Sequence, residues 1–130
     1  MSEFIEVKTA DLIGPALDWA VLFAGYGDGP DWRLIDGYLF IISLHDVRVG
    51  MDGIDQQEKI NPFQPSTRWQ DGGPLIDSNV VIISKQVEGK WWSHSGNHLG
   101  EGHTALIAAC RAIVANKLGD IVSVPKELMQ

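Results

Sequence analysis

Apolar residues near the start of the chain recur at helical spacing. They occupy every third or fourth position from Thr9 to Ala24, which predicts an amphipathic helix. Gly14-Pro15 interrupts the segment early, and proline is tolerated in the first turn of a helix. The pattern predicts a separate turn at residues 9–12, a regular helix near residues 15–24, and an end at the glycines that follow.

A second segment with the same spacing lies near the end of the chain. Thr104 is suited to cap a helix, and Gly119 is suited to end it in a left-handed conformation. The spacing therefore predicts a helix near residues 104–118. Its buried stripe is formed by Leu106, Ile107, Cys110, Ile113, Val114 and Leu118.

Between the helices, runs of β-forming residues alternate with turn residues. FIEV and DIVSVP predict short strands near the two ends, GYLFIISL predicts a strand covered on both faces, and VVIISKQ with KWWSH predicts a hairpin. Residues 50–74 are polar and rich in turn residues, which predicts the least regular part of the chain. The fold class is α+β: two main helices packed on one face of a small, mainly antiparallel sheet built from residues 38–44, 80–86 and 90–94.

Length and charge restrict the class of partner. The 130 residues predict a single domain, 1–130, and 17 acidic against 10 basic side chains give a net charge of -7. Lys and Arg are scattered singly, so the chain lacks the basic patch typical of nucleic-acid binders, whereas an acidic surface suits a basic protein partner. A single cysteine, no signal-peptide pattern and no long apolar run predict a cytoplasmic protein without a membrane partner.

Metal and catalytic chemistry find little support in the sequence. HSGNHLGEGHT places His94, His98 and His103 near Cys110, but His94 and His98 are separated by glycine rather than by a helical turn. We therefore expect loop histidines, no metal and no cofactor. No nucleophile signature such as GxSxG occurs, so the sequence favours a protein that is not an enzyme.

The segment LGEGHT is a candidate anion site. Its glycines precede a helix whose free N–H groups and dipole would attract a phosphate. Glu101 would oppose an anion there, and the lysine of the phosphate-loop consensus is absent. A flexible loop that ends in a helix cap is the alternative interpretation.

The segment PSTRWQDGGPLID carries the second candidate site. Trp69 can supply a stacking face, and Arg68 can supply a planar fork for phosphate. The residues that follow can supply polar contacts and a flexible bend. The alternative is a structural role, in which Trp69 covers the edge of the core. We hypothesise that the two segments form opposite walls of one pocket. The predicted ligand-binding residues are Arg68, Trp69, Gln70, Asp71, Gly72, Gly73, Gly100, Gly102, His103 and Thr104.

Three segments together resemble the phage NinX-like family: VKTADLIGPALDWAV, PSTRWQDGGPLID and TALIAACRAIVANKLGDIVSVPKEL. They cover about half of the chain in the family's order. The chain departs from the family pattern at Ala105, where proline is usual, and over residues 32–61, which are longer and more apolar. The resemblance implies a small protein of lambdoid phages and prophages that acts inside a bacterial host, in a family without an assigned function.

Three functions are compatible with these observations. The first is a non-enzymatic protein that binds and sequesters a nucleotide-derived defence signal of the host. The second is an accessory factor that binds and modulates a host or phage enzyme, for example in DNA metabolism. The third is a nucleotide hydrolase. The expected partners are a nucleotide-like small molecule and, for the chain itself, a second copy in a homo-oligomer.

Overall fold

The structure, a computed structural model, describes residues 3–51, 53–79, 81–87 and 89–129. Within these residues it contains three α-helices, eight strands and two 3₁₀ helices. The helices are α1 (Gly14–Tyr26), α2 (Trp69–Ser78) and α3 (Ala105–Leu118), and the 3₁₀ helices are Thr9–Asp11 and Lys126–Met129. The strands are β1 (Phe4–Lys8), β2 (Asp31–Ile35), β3 (Tyr38–Val49), β4 (Gly53–Pro62), β5 (Ile82–Val87), β6 (Lys90–Ser95), β7 (His98–Gly102) and β8 (Ile121–Pro125).

The strands form three small antiparallel sheets. β1 pairs with β8, β3 lies between β2 and β4, and β6 lies between β5 and β7. This arrangement confirms the α+β class, the two short strands near the ends of the chain and the β5–β6 hairpin. Residue 80 of the predicted strand and Glu88 of the predicted turn lie outside the described residues.

The prediction of one sheet shared by residues 38–44, 80–86 and 90–94 is wrong. β3 belongs to one three-stranded sheet, whereas β5 and β6 belong to another. The reason is local: β3 is joined to β2 by the tight turn Asp36-Gly37, where both residues have positive φ, and it continues directly into the hairpin with β4. Both edges of β3 are therefore occupied by its neighbours in the chain, and β5 pairs elsewhere.

Helix α3 lies at the centre of the fold. It packs on β6 and β7 on one side and against α1 on another. Almost every residue from Ala105 to Ala115 is buried, which is the pattern of a helix covered all round. The two helices therefore do not share one face of a sheet, as the sequence had predicted, because α3 separates α1 from the β5–β6–β7 sheet.

The ends of the two long helices agree with the sequence. α1 begins at Gly14 with Pro15 in its first turn, after a separate 3₁₀ turn. The hydroxyl of Thr104 accepts a hydrogen bond from the N–H of Ile107 at 3.1 Å, and Gly119 follows α3 with a φ of 96°. Caps of this kind stabilise a helix because they satisfy backbone groups that the helix itself leaves free.

The region predicted to be least regular is instead well structured. Residues 53–62 form β4, which pairs with β3 along its whole length, and residues 69–78 form α2 despite Gly-Gly-Pro in its middle. Long-range contacts explain the helix: a Cβ at Gly72 would lie 2.5 Å from the carbonyl oxygen of Pro65 and 2.7 Å from Cδ2 of Leu106. Gly72 therefore allows α2 to approach α3 closely, and this packing outweighs low helix propensity.

Cys110 is expected to react slowly with thiol reagents in the folded protein. Its side chain is buried on α3, and burial, followed by the charge of Asp18, raises the pKa of the thiol far above its usual value. Absorbance with a thiol-specific disulfide reagent at neutral pH should show negligible labelling before denaturant is added and one thiol afterwards. Rapid labelling without denaturant would contradict the position of Cys110 in the core.

Candidate functional site

The predicted ligand-binding residues fall into two groups. Arg68 is the N-cap residue of α2, and Trp69 to Gly73 form its first turns. Gly100 and Gly102 lie within β7, whereas His103 and Thr104 connect that strand to α3. The glycine-rich segment is therefore largely a strand rather than a flexible loop.

The start of α2 is fastened to the rest of the fold by acidic side chains. The Ser66 N–H donates to Oδ1 of Asp18 on α1 at 2.8 Å, and the Gln64 N–H donates to Oδ2 of Asp71 at 3.0 Å. Arg68 Nη1 lies 3.7 Å from the same Asp71 carboxylate. Asp71 is thus engaged in holding the segment in place, while the neighbouring Trp69 is 59% exposed.

Asp18 is a buried acid in this network. Burial raises the pKa of its carboxyl group from the ordinary 3.8 to about 6, Ser66 acts in the opposite direction, and the charge of Asp71 adds to the increase. A perturbed acid can mark a functional site. Here only 3% of Asp18 is exposed, so the carboxylate serves to orient the Ser66 backbone rather than to contact a ligand.

Gly100 and Gly102 have a packing role. A Cβ at Gly100 would collide with the carbonyl oxygen of Ala108 and lie 2.5 Å from the Ala112 nitrogen. A Cβ at Gly102 would lie 2.7 Å from Cγ2 of Ile107. Both glycines therefore allow α3 to lie directly on β7, and the Ser93 hydroxyl of the neighbouring strand donates to the Ala108 carbonyl.

A large cavity opens where β7 and α3 meet the end of β1 and the start of β8. Its volume is about 720 Å³. Gly100 and Gly102 line it, but residues 68–73, His103 and Thr104 do not. We call it the Arg111 cavity; its lining is Lys8, Thr9, Ala10, Gly89, Lys90, Leu99, Gly100, Glu101, Gly102, Arg111, Ala115, Asp120 and Ile121.

The Arg111 guanidinium is held rigidly in the wall of this cavity. Its Nε donates to the Leu12 carbonyl at 2.9 Å, and its Nη1 donates to the Glu101 carbonyl at 2.7 Å. Among the described residues no carboxylate lies within ion-pair distance of it. Partial burial lowers the pKa of the guanidinium, and nearby Asp11 partly offsets that effect. The arrangement is a fixed, half-buried positive charge, and among the described residues no hydrogen bond or ion pair occupies its second amino group, Nη2.

The remaining lining combines charged and apolar side chains. Lys8 and Lys90 contribute two further positive charges, while Glu101 and Asp120 contribute two negative ones. The cavity therefore carries a net charge of about +1 on a chain whose net charge is -7. Leu99 and Ile121, both largely exposed, supply apolar surface. Such a site can bind a molecule that has an anionic group, hydrogen-bonding groups and an apolar part.

The sequence patterns do not mark Arg111, Lys8 or Lys90 as site residues. The three residues are spread over about a hundred positions of the chain and belong to no motif. One signal was present: Arg111 is the only charged residue in the stretch ALIAACRAIVA, which otherwise reads as a buried helix. A charge in such a stretch is expensive to bury unless it has a specific partner, and this cost distinguishes it from a solvent-facing arginine.

The positions of the histidines and the lengths of the helices in the described part of the chain bear on metal binding and membrane insertion. No group of three or more His, Cys, Asp or Glu side chains there is arranged to hold a metal ion. His94 and His98 lie on the adjacent strands β6 and β7 rather than in a loop. Within the same residues, no helix has the length and apolar character needed to cross a membrane.

Comparison with known families matches residues 8–117 to the family described as Bacteriophage P22, NinX. The chain belongs to the NinX family. The match includes the three segments that carried the resemblance over most of their length, together with Lys8, Lys90 and Arg111 of the cavity. No curated protein matches the chain. Membership of the NinX family makes this a phage accessory protein of unassigned function.

Proposed function

We propose that this NinX-family protein binds an anionic, nucleotide-derived small molecule in the Arg111 cavity without converting it. By holding the molecule, it would withhold a defence signal from the host. The observation that carries the proposal is the guanidinium of Arg111, which is fixed by two backbone carbonyls and has no carboxylate partner among the described residues.

Electrostatics favour an anionic ligand. A half-buried positive charge without a counter-ion is costly, and an anion that reaches Nη2 would remove that cost through a charge-assisted hydrogen bond. Because Nε and Nη1 are already bound to the backbone, the guanidinium loses little freedom when the ligand binds. Lys8 and Lys90 line the same cavity and can neutralise a second charge, as in a diphosphate or a cyclic dinucleotide.

Size and lining favour a nucleotide over a simple inorganic anion. Cavities of roughly 300–1,000 Å³ accommodate drug-sized ligands, and about 720 Å³ lies within that range. Leu99 and Ile121 offer apolar surface to a base. The carboxylates of Glu101 and Asp120 can accept hydrogen bonds from hydroxyl or amino groups, although they would repel a ligand that carries phosphate alone.

The lining also supports binding without conversion. Among its described residues there is no serine, cysteine or histidine to act as nucleophile or general base. The one hydroxyl side chain, Thr9, donates its proton to the Gly119 carbonyl at 2.7 Å and is thereby engaged in the backbone. The proposed role of the lining is therefore to hold the ligand, since neither a free hydroxyl nor a thiol among its described residues can attack it.

The proposal is tested by incubating the purified protein with extract of infected, defence-active cells, then washing and denaturing it and identifying the released molecules by mass spectrometry. An intact nucleotide-derived compound, released in near-equal amount to the protein, is the expected result. Release of a converted product would instead show that the protein is a nucleotide hydrolase. If no small molecule is released and a protein is captured, the accessory-factor function would take the place of ligand binding.

A Trp69→Ala variant separates this cavity from the site hypothesised on α2. Trp69 is exposed and does not line the Arg111 cavity, so the variant should retain the compound as the wild type does. Loss of retention in a variant with unchanged melting temperature would place the ligand at the Arg68–Trp69 segment instead.

A further inference from the structure

Strand β4 has one long edge on which no described strand pairs. It pairs with β3 along one side from Gly53 to Pro62, and it is the last strand in the order β2–β3–β4. An unpaired edge of this length offers a row of backbone hydrogen-bonding groups to another strand, and proteins usually cover, shorten or pair such edges.

The residues that face the open edge follow from the pairing. The Phe63 N–H donates to the Leu39 carbonyl, so odd-numbered positions of β3 direct their backbone groups towards β4. In the observed register odd residues of β3 lie opposite odd residues of β4, and backbone groups alternate in direction along a strand. The even-numbered residues Ile54, Gln56, Glu58 and Ile60 therefore direct their N–H and C=O groups outward. Within the described part of the chain, the Gln56 N–H donates to the side chain of its neighbour, with Asp55 Oδ1 at 2.9 Å.

When a second copy of β4 runs antiparallel to the first, the side chains that face each other across the two strands are chemically complementary. If a second β4 runs antiparallel about a two-fold axis at Gln57, Ile54 lies opposite Ile60, Asp55 opposite Lys59, and Gln56 opposite Glu58. The two side chains of each pair lie on the same face of the sheet. The outward backbone groups of Ile54, Gln56, Glu58 and Ile60 also fall opposite one another, so each of these residues can exchange hydrogen bonds with its partner.

Neighbouring registers lack this complementarity. An axis at Gln56 places Ile54 opposite Glu58 and leaves Asp55 opposite Gln57. An axis at Glu58 places two Glu58 carboxylates opposite each other and Ile54 opposite Pro62, which has no N–H. Opposite charges and apolar pairs across strands are favourable, whereas like charges are not. One register is therefore selected.

From this pattern we propose that two copies of the chain associate through their β4 edges as a two-fold dimer with a continuous six-stranded sheet. The dimer covers apolar side chains that water otherwise surrounds, since Ile54 is 73% and Ile60 41% exposed. It also closes the open edge by a symmetric contact, which ends association at two copies. The Arg111 cavity contains no residue of β2, β3 or β4, so this proposal stands apart from the proposed function.

Charge exchange tests the dimer. Sedimentation velocity at micromolar concentration should show a dimer for the wild type and about tenfold weaker association for Asp55→Lys or Lys59→Asp, because two attractive pairs become repulsive. The double variant Asp55→Lys/Lys59→Asp restores opposite charges and should restore the dimer. Gln56→Pro, which removes an outward N–H from the edge, should give a monomer.

The matched control is Asp28→Lys, since Asp28 is also exposed but lies after α1, outside the β2–β3–β4 sheet. This variant should remain dimeric. Circular dichroism of every variant shows whether it is folded. A monomeric wild type, or a folded double variant that stays monomeric while Asp28→Lys is dimeric, would overturn the proposal.

Discussion

Replacing Asp18 by asparagine is expected to stabilise the protein by about 2–3 kcal/mol at pH 8, a figure that follows from the difference between its folded and unfolded pKa values. Burial raises the pKa of Asp18 to about 6, so the folded state holds this proton more strongly than the unfolded state does. Ionisation of Asp18 therefore costs stability as the pH rises from about 4 to 6, and the full cost remains above that range. Asparagine removes the charge and retains an oxygen that can accept from the Ser66 N–H.

Urea denaturation of both proteins at pH 4 and pH 8 measures this effect. The two proteins should differ little at pH 4, where Asp18 is largely protonated in the folded state, and by the full amount at pH 8. Asp18→Ala should be less stable than Asp18→Asn at both pH values by about 1–3 kcal/mol, because the Ser66 N–H loses its acceptor. The control Asp28→Asn, at an exposed position, should change stability by less than about 0.5 kcal/mol. Equal or lower stability of Asp18→Asn at pH 8 would contradict this account of Asp18.

Ile107→Ala is expected to destabilise the protein by about 2–5 kcal/mol, and Ile107→Val by about 0.5–1.5 kcal/mol. Ile107 is only 5% exposed and packs directly over Gly102, so truncation leaves a cavity between α3 and β7. The matched control is Ile82→Ala, since Ile82 is 69% exposed and its loss should cost less than about 0.5 kcal/mol. Similar free energies of unfolding for the Ile107→Ala and Ile82→Ala variants would show that α3 is not the centre of the core.

Local signals predicted the elements of the fold better than their assembly. Thr104 and Gly119 identified the ends of α3 because capping depends on residues adjacent in sequence. The division of β3, β5 and β6 between two sheets depends on which strands meet in space, and the apolar pattern of β3 fits either arrangement. Helix α2 was missed because Gly72, Gly73 and Pro74 disfavour a helix locally, whereas contacts with Pro65 and Leu106 favour one.

For the candidate site too, sequence identified individual residues but not how they come together in space. Gly100 and Gly102 were predicted to bind a ligand; they line the Arg111 cavity, and the element that lies closest to their backbone is α3. The hypothesis that the Arg68–Trp69 segment and the start of α3 form two walls of one pocket stays a prediction, and the Arg111 cavity is lined by neither Arg68, Trp69 nor Thr104. Lys8, Lys90 and Arg111 come together through folding alone.

The most direct test of the proposed function is the amount of small molecule that three immobilised proteins retain from one extract of infected, defence-active cells. They are the wild type, Lys8→Ala/Lys90→Ala, and the control Arg48→Ala/Lys117→Ala, which removes the same charge at exposed positions outside the cavity. The cavity variant should retain at least about tenfold less compound than the control, because two charge-assisted contacts are lost. Equal retention by the two double variants, or no retention by the wild type, would contradict the account.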